Sequence, residues 1–372
     1  MGRILFQFSK LGLMLPGYKN EGNDLHSFAK GHQVVQFLER YASSIRAPLR
    51  SEAEVVSLSQ HSNSNRYLLD VGGPMIEASN VVVATGPFQR PAIPRANIEV
   101  PDGIFQVLSN GYRNPDQLPH GAVLVVGGGS SGCQIADDLL EAGRKVYLSV
   151  GQHRRVPRRY RGQDYAWWRW KTGAWDRRAD SLPSPRDKYT PAPLLTGVNG
   201  GYDVDFRHMS SKGIVLLGHL SAIAGGRIAF APDLQQNLLN GDKWFTDFKR
   251  SVDDYIEKAA MSCDRDISSK NQVPEPEDVT NPILELDLKA NGITSIIWSS
   301  GFRYDFDWIK LPILDETGEP VHERGVTQMP GISFLGLQWL YKLQSAFLSL
   351  GGPEEDAAYL ADRISHRQST NG

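Results

Sequence analysis

The chain has 372 residues, 40% of them hydrophobic and 22% charged, with a formal net charge of −2. That is the composition of a soluble globular protein, and the length exceeds one ordinary core and predicts two domains. The charge balance makes no general case for nucleic acid or a membrane surface. No apolar run is long enough to span a bilayer, and Met1-Gly-Arg-Ile-Leu-Phe-Gln-Phe8 is not built like a secretory signal. The two cysteines, Cys133 and Cys263, form no C-x-x-C pair and suggest no disulfide framework, so a reducing, cytoplasmic setting is expected.

In chain order, the first thirty residues offer only the turn Leu15-Pro-Gly17. Apolar residues Val34, Phe37, Leu38, Tyr41 and Ile45 then recur at helical spacing over 33–45. Strands are predicted at 54–58 and 67–71. A third, Asn80-Val-Val-Val-Ala84, reads as buried on both faces and runs into Thr85-Gly86-Pro87. The carboxyl end of such a strand is where ligands of open α/β sheets lie, although a Gly-Pro turn alone would also account for it.

The chain is organised around residues 122–149. An apolar run, Ala122-Val-Leu-Val-Val126, leads into Gly127-Gly-Gly-Ser-Ser-Gly132. A helical pattern follows with Ile135, Ala136, Leu139 and Leu140 on one face, and Val146-Tyr-Leu148 closes a second strand. Gly127, Gly129 and Gly132 have the G-x-G-x-x-G spacing in the strand–turn–helix setting that dinucleotide binding requires. The first glycine makes the tight turn, the second admits a pyrophosphate and the third lets helix and strand pack. The helix N-terminus at Ser130 and Ser131 offers its free N–H groups to the phosphates. A glycine-rich turn in some other βαβ unit is the competing reading.

An acidic residue that would bind a ribose 2′-hydroxyl is expected about 20 residues past the turn. Ser149 stands there, with Arg154, Arg155 and three further arginines downstream. Hydroxyl and guanidinium groups suit a 2′-phosphate that a carboxylate would repel, which favours NADPH over NADH. A solvated basic loop is the plainer alternative. Trp167, Trp168, Trp170 and Trp175 follow, read as a lid or domain contact rather than a nucleic-acid platform. Strands are predicted at 213–217 and 227–230, a helix over 244–259, a linker over 271–278 and a strand over 293–298 running into Ser299-Ser-Gly-Phe302. Met329-Pro-Gly-Ile-Ser-Phe-Leu-Gly336 contains a short buried strand, and Gly351-Gly-Pro353 opens a last helix with acids in its first turn. Histidines such as His32, His61, His120 and His153 are scattered, without metal-ligand spacing. No catalytic side chain is assigned.

The order Asn80-Val-Val-Val-Ala-Thr-Gly86, Gly127-x-Gly-x-x-Gly132, Ile296-Ile-Trp-Ser-Ser-Gly-Phe302 and Gly331-Ile-Ser-Phe-Leu-Gly336 resembles the flavin-containing monooxygenase family and its bacterial flavoprotein relatives. Pro87-Phe-Gln-Arg-Pro91, Tyr112-Arg-Asn-Pro115 and Val156-Pro-Arg-Arg-Tyr-Arg-Gly162 are similar to forms common in that bacterial group. The resemblance implies an α/β flavoprotein with two dinucleotide-binding domains, the NADPH domain (113–275) inserted in a discontinuous FAD-type domain (1–112 and 276–372). It places Thr85 and Gly86 near the flavin–nicotinamide junction, Ser300 and Gly301 in the returning crossing, and Gly336 against the flavin. It implies hydride transfer from NADPH to FAD and capture of O2 as a hydroperoxyflavin that oxygenates a small nucleophilic or carbonyl substrate. It leaves homo-oligomerisation open.

Three departures accompany the resemblance. The family's own first glycine fingerprint for FAD has no counterpart before Leu15, so the FAD-type domain reads as incomplete by one βαβ unit. Leu108 stands where relatives usually carry a histidine, and Ser299-Ser300 replaces the usual Ala-Thr. A catalytically silent NADP(H)-binding protein, or a truncated product unable to hold FAD, is therefore the alternative function.

Overall fold

The computed structural model describes residues 5–10, 13–19, 27–94, 99–266, 273–346 and 353–371. Its principal layer is a five-stranded, wholly parallel sheet. The order is Phe105–Leu108, Ile293–Trp298, Ala122–Val126, Val146–Ser149, Val215–Leu217. Ala122–Val126 is buried along its whole length, as an apolar run covered on both faces must be.

Period-two alternation divides its side chains between two cores. Val123 and Val125 pack with Cys133, Ile135, Ala136 and Leu139 of the helix Ser130–Glu141. Leu124 and Val126 face Ile223, Ile228 and Phe230 of an antiparallel three-stranded sheet. That second layer comprises Leu220–Ala224, Arg227–Phe230 and Glu285–Asp287. The strand Leu220–Ala224 escapes sequence reading because Ser221, Ala222 and Ala224 have little strand preference of their own. The large sheet also takes in Phe105–Leu108 and Ile293–Trp298, which lie beyond the 113–275 span. Parallel pairing requires a crossover, and here the two strands on one side of Ala122–Val126 come from the flanking segments.

A second sheet runs His322–Glu323, Val326–Thr327, Ile332–Phe334, Val81–Val83, the last two in parallel. Val83 is buried against Leu58, Phe306, Ile332 and Phe334, whereas Val82 is 38% exposed. The expectation of a strand buried on both faces is thus corrected. Val81–Val83 is an edge strand with one neighbour, and no layer of the described residues closes over the face that carries Val82.

Three helical expectations need adjustment. The 33–45 helix is Gly31–Ser44. The 244–259 helix begins ten residues earlier and runs Leu234–Lys258. Gly241 in its interior reads as a breaker, but a Cβ there would lie 2.3 Å from His153 Nε2, so its smallness admits the imidazole ring. Within the 271–278 linker, residues 271–272 lie outside the described residues, and Glu277–Thr280 forms a helical turn anchored by buried Val279. The final helix spans Glu354–Asn371; Gly351 and Gly352 lie outside the described residues.

Candidate nucleotide and substrate site

The glycine turn lies at the carboxyl edge of the large sheet, where the chain leaves its central strand in one direction for Val146–Ser149 while Ile293–Trp298 flanks the other side. That is the switch-point crevice where open α/β sheets bind ligands. The three glycines of the motif meet different surroundings. Gly127 has φ +110°, and a Cβ there would lie 2.3 Å from Ser299 O. A Cβ at Gly132 would lie 1.9 Å from Gly127 O. At Gly129 a Cβ would meet nothing within 4 Å, so this position opens to a ligand while its neighbours are closed by backbone. Gly129 caps the helix without any side-chain cap bond, leaving N–H groups of the first turn for an anion.

Ser131 is exposed beside the turn. Ser130 is tied elsewhere: its hydroxyl accepts from Leu195 N at 3.0 Å and donates to Pro193 O at 3.4 Å. Buried Cys133 sends Sγ toward Gly128 O, and burial pushes its thiol up from the ordinary value. Cys133 and Cys263 are both free thiols.

At the end of the neighbouring strand, Ser149 is buried and its hydroxyl donates to Gly218 O at 2.9 Å. Arg155 is bonded to Asp205 at 2.6 Å and Asp242 at 2.7 Å, and stacks over Phe245. It reaches a phosphate only by giving up two ion pairs. Arg154 points a different way. Its guanidinium lies over the Trp244 ring and makes no ion pair or hydrogen bond with the described residues. Burial lowers its pKa, Tyr165 opposes that, and Arg169 adds to the lowering. Of the downstream arginines, Arg158 is buried on Asp164 and Arg161 pairs with Asp253. The basic run is therefore mostly structural.

The expected flavin-side residues come from three distant segments that the structure draws together. Ser300 Oγ donates to Ala92 O at 2.6 Å, Ala92 N donates to Gly301 O, and Phe302 pairs with Pro91. Leu335 N donates to Val83 O, bringing Gly336 beside Ala84-Thr85-Gly86. Thr85 Oγ1 and Gly86 O both accept from the Gln89 amide. A Cβ at Gly86, Gly301 or Gly336 would meet nothing within 4 Å, so each presents open backbone.

Two cavities adjoin these segments. One, of about 450 Å³, is lined by Pro87, Phe302, Tyr304 and Leu337. The other, of about 340 Å³, is lined by Arg154, Tyr165, Arg169, Trp175, Trp244 and Leu195 among others. Lys188, Gln338 and Trp339 line both. Trp339 has φ +56°, a left-handed conformation unusual for a bulky residue and often found at functional sites. Nothing in the sequence pattern marks Trp339, Lys188 or the Pro193–Leu195 wall. They are recognisable only once the fold brings residue 339 to residue 188.

The tryptophan cluster divides. Trp168 is fully buried and donates to Tyr160 O, Trp175 lines the smaller cavity, and Trp170 is 54% exposed. The cluster's segment also meets the carboxyl-terminal one, where Ala179 N donates to Tyr341 O. This agrees with a domain contact. Leu108 ends its strand packed partly against the second core, so no imidazole stands at that position. Among the described residues no helix is long and apolar enough to cross a membrane, and no group of three potential metal ligands occurs.

A parallel glycine-turn sheet joined to a second sheet is the fold of the flavoproteins with two dinucleotide-binding domains. Residues 12–165 match the family model described as pyridine nucleotide-disulphide oxidoreductase. The chain is 31% identical over 353 residues to an uncharacterized CzcO-like oxidoreductase of Geobacillus kaustophilus (strain HTA426), covering 94% of this chain and 82% of that one. In fold it is similar to a flavin-containing monooxygenase from Stenotrophomonas maltophilia, at 15% identity and a TM-score of 0.59, covering 98% of this chain and 85% of that one. It is also similar to OTEMO, solved in complex with FAD and NADP, at 13% identity and a TM-score of 0.51, covering 99% and 78%. The chain belongs to the flavin-containing monooxygenase family, with the CzcO-like oxidoreductases among its relatives.

Proposed function

We propose that the protein is an NADPH-dependent flavoprotein of monooxygenase type that uses O2 to oxygenate a small nucleophilic or carbonyl substrate. The observation that carries this reading is Gly129. It is an open position between two glycines closed by backbone, at an uncapped helix N-terminus in the switch-point crevice. The backbone N–H groups of Gly129, Ser130 and Ser131 would hold the donor's pyrophosphate. Preference for NADPH rests on the missing carboxylate at Ser149, since Arg155 is engaged by two aspartates. The open backbone at Gly86, Gly301 and Gly336 fits a flat ring system, and Thr85 and Ser300 lie beside it. FAD, when bound, would supply the redox and oxygen chemistry; these residues would orient it and exclude water. In this reading the donor-binding unit is the 113–275 span completed by two flanking strands.

The test is the visible spectrum of the purified protein with and without added FAD, together with NADPH oxidation followed under air. A flavin band and NADPH consumption are expected; absence of both overturns the reading. One observation favours the second reading, an NADP(H)-binding protein that does not hold FAD. Among the described residues only one strand–glycine turn–helix occurs, and the Val81–Val83 edge is uncovered. Calorimetry that registers NADPH and no FAD would establish that alternative.

A further inference from the structure

The smaller cavity has a composition that the nucleotide reading does not use. Its walls are aromatic and apolar, with Tyr165, Trp175, Trp244 and Leu195 prominent. Arg154 and Arg169 stand close enough to repel one another's charge. Among the described residues the Arg154 guanidinium finds only the Trp244 ring, and Arg169 reaches Ala174 O at 3.2 Å. The Nε atoms of both are buried without a hydrogen-bond partner. Two more cations line the space, Arg177 and Lys188, and Lys188 is already bonded to Glu319 at 2.5 Å. Against them stands one lining carboxylate, Asp187, which accepts a bond from Ser184 N. Guanidinium groups in an apolar setting, neither of them paired with the one lining carboxylate, call for an anion with matching fork geometry.

We propose that this cavity is the substrate chamber and that it takes a small aromatic carboxylate, its ring among the tryptophans and its carboxylate on Arg154 and Arg169. About 340 Å³ is within the range of small-molecule sites. The anion is not the donor's pyrophosphate, because no residue of the 127–132 turn lines the cavity. The Pro193–Leu195 wall, pinned to Ser130, stands between them. The chamber instead reaches Gln338 and Trp339, just past Gly336, and adjoins the larger cavity across that shared wall. The assignment rests on the flavin-side reading of Gly336, and its test involves no turnover.

The probe is phenylacetate, titrated calorimetrically against its uncharged isostere phenylacetamide. The acid is expected to bind about tenfold more tightly, as a charge-assisted pair supplies. Arg154→Ala should erase that preference, and Arg169→Ala should do so while leaving the NADPH affinity unchanged. Arg154→Lys, which retains the charge, should keep part of it, and Arg169→Ala covers the case in which Arg154→Ala fails to fold. Equal affinity for acid and amide overturns the proposal, as does absence of binding by phenylacetate and 3-phenylpropionate alike at millimolar concentration. Competition between phenylacetate and NADPH, with both weakened by Arg154→Ala, returns the arginine to the donor and also overturns it. A missing flavin band would defeat the monooxygenase reading without altering these titrations.

Discussion

The proposed donor side and the proposed flavin side of the molecule are built on opposite plans. The donor side is one contiguous stretch, residues 122–149, whose central strand is buried throughout and flanked by two sheet neighbours. The flavin side is assembled from segments around 81–92, 299–303 and 332–339, tied by single hydrogen bonds, one parallel strand pair and one short antiparallel pair. Its edge strand leaves Val82 38% exposed. The difference teaches that the nucleotide turn is set by local packing, while the acceptor side depends on long-range closure.

Five substitutions, one of them read through a pH titration, probe that contrast. The largest effect should come from Gly132→Val. Its branches would enter the 1.9 Å gap to Gly127 O, an overpacking against backbone that costs about 3 kcal/mol or more; a chemical-denaturation midpoint unchanged from wild type would show that the turn is not fixed by packing. Next is Gly129→Glu, which fills open space. Thermal stability should hold while NADPH affinity falls by about 100-fold or more, since a carboxylate repels the pyrophosphate the helix terminus attracts. Unaltered calorimetric affinity would remove the donor site from this turn.

Arg155→Ala should act on the fold. It leaves Asp205 and Asp242 without that partner, although Arg207 still reaches Asp242 at 3.0 Å. The groups are partly exposed, so the cost is about 1–2 kcal/mol. If the variant keeps its stability and loses NADPH, Arg155 belongs to the cofactor after all.

His153 gives a smaller, pH-dependent signature. Burial lowers its folded-state pKa below the ordinary 6.5, so below that pH the unfolded chain binds more protons. Stability should therefore fall as the pH drops from 6.5 toward the depressed folded value. His153→Asn should flatten part of that slope in urea titrations at successive pH values. Half-buried His322, shifted the same way, supplies another part. The smallest effect is Val82→Thr, expected within about 0.5 kcal/mol because the side chain is open to solvent. A loss comparable to that at Gly132 would mean that something covers this face in solution.

The donor side was legible because each of its signals is local. The alternation in Val123-Leu-Val125 and the spacing of Gly127, Gly129 and Gly132 specify strand, turn and helix without help from elsewhere. Gly241 illustrates the opposite case, a helix interior that reads as a break until His153 arrives from another segment. Arg154 and Arg155 are adjacent and chemically identical in the sequence. What separates them is Asp205 and Asp242, the latter 87 residues away. Val82 misled for a related reason, since an apolar triplet does not reveal whether a layer will cover it. The cavities were invisible because their shared wall, Lys188 with Gln338 and Trp339, joins stretches that no periodicity connects.

The hydroxyl of Ser130 has a consequence for the order of events. It holds Leu195 N and Pro193 O, and Pro193 and Leu195 form part of the chamber wall. A phosphate arriving at the helix terminus would compete for that hydroxyl's proton with the Pro193 carbonyl. In the proposed reading, loading the reductant and setting the chamber's width would draw on a single rotor, and the two ligands would sense each other through it.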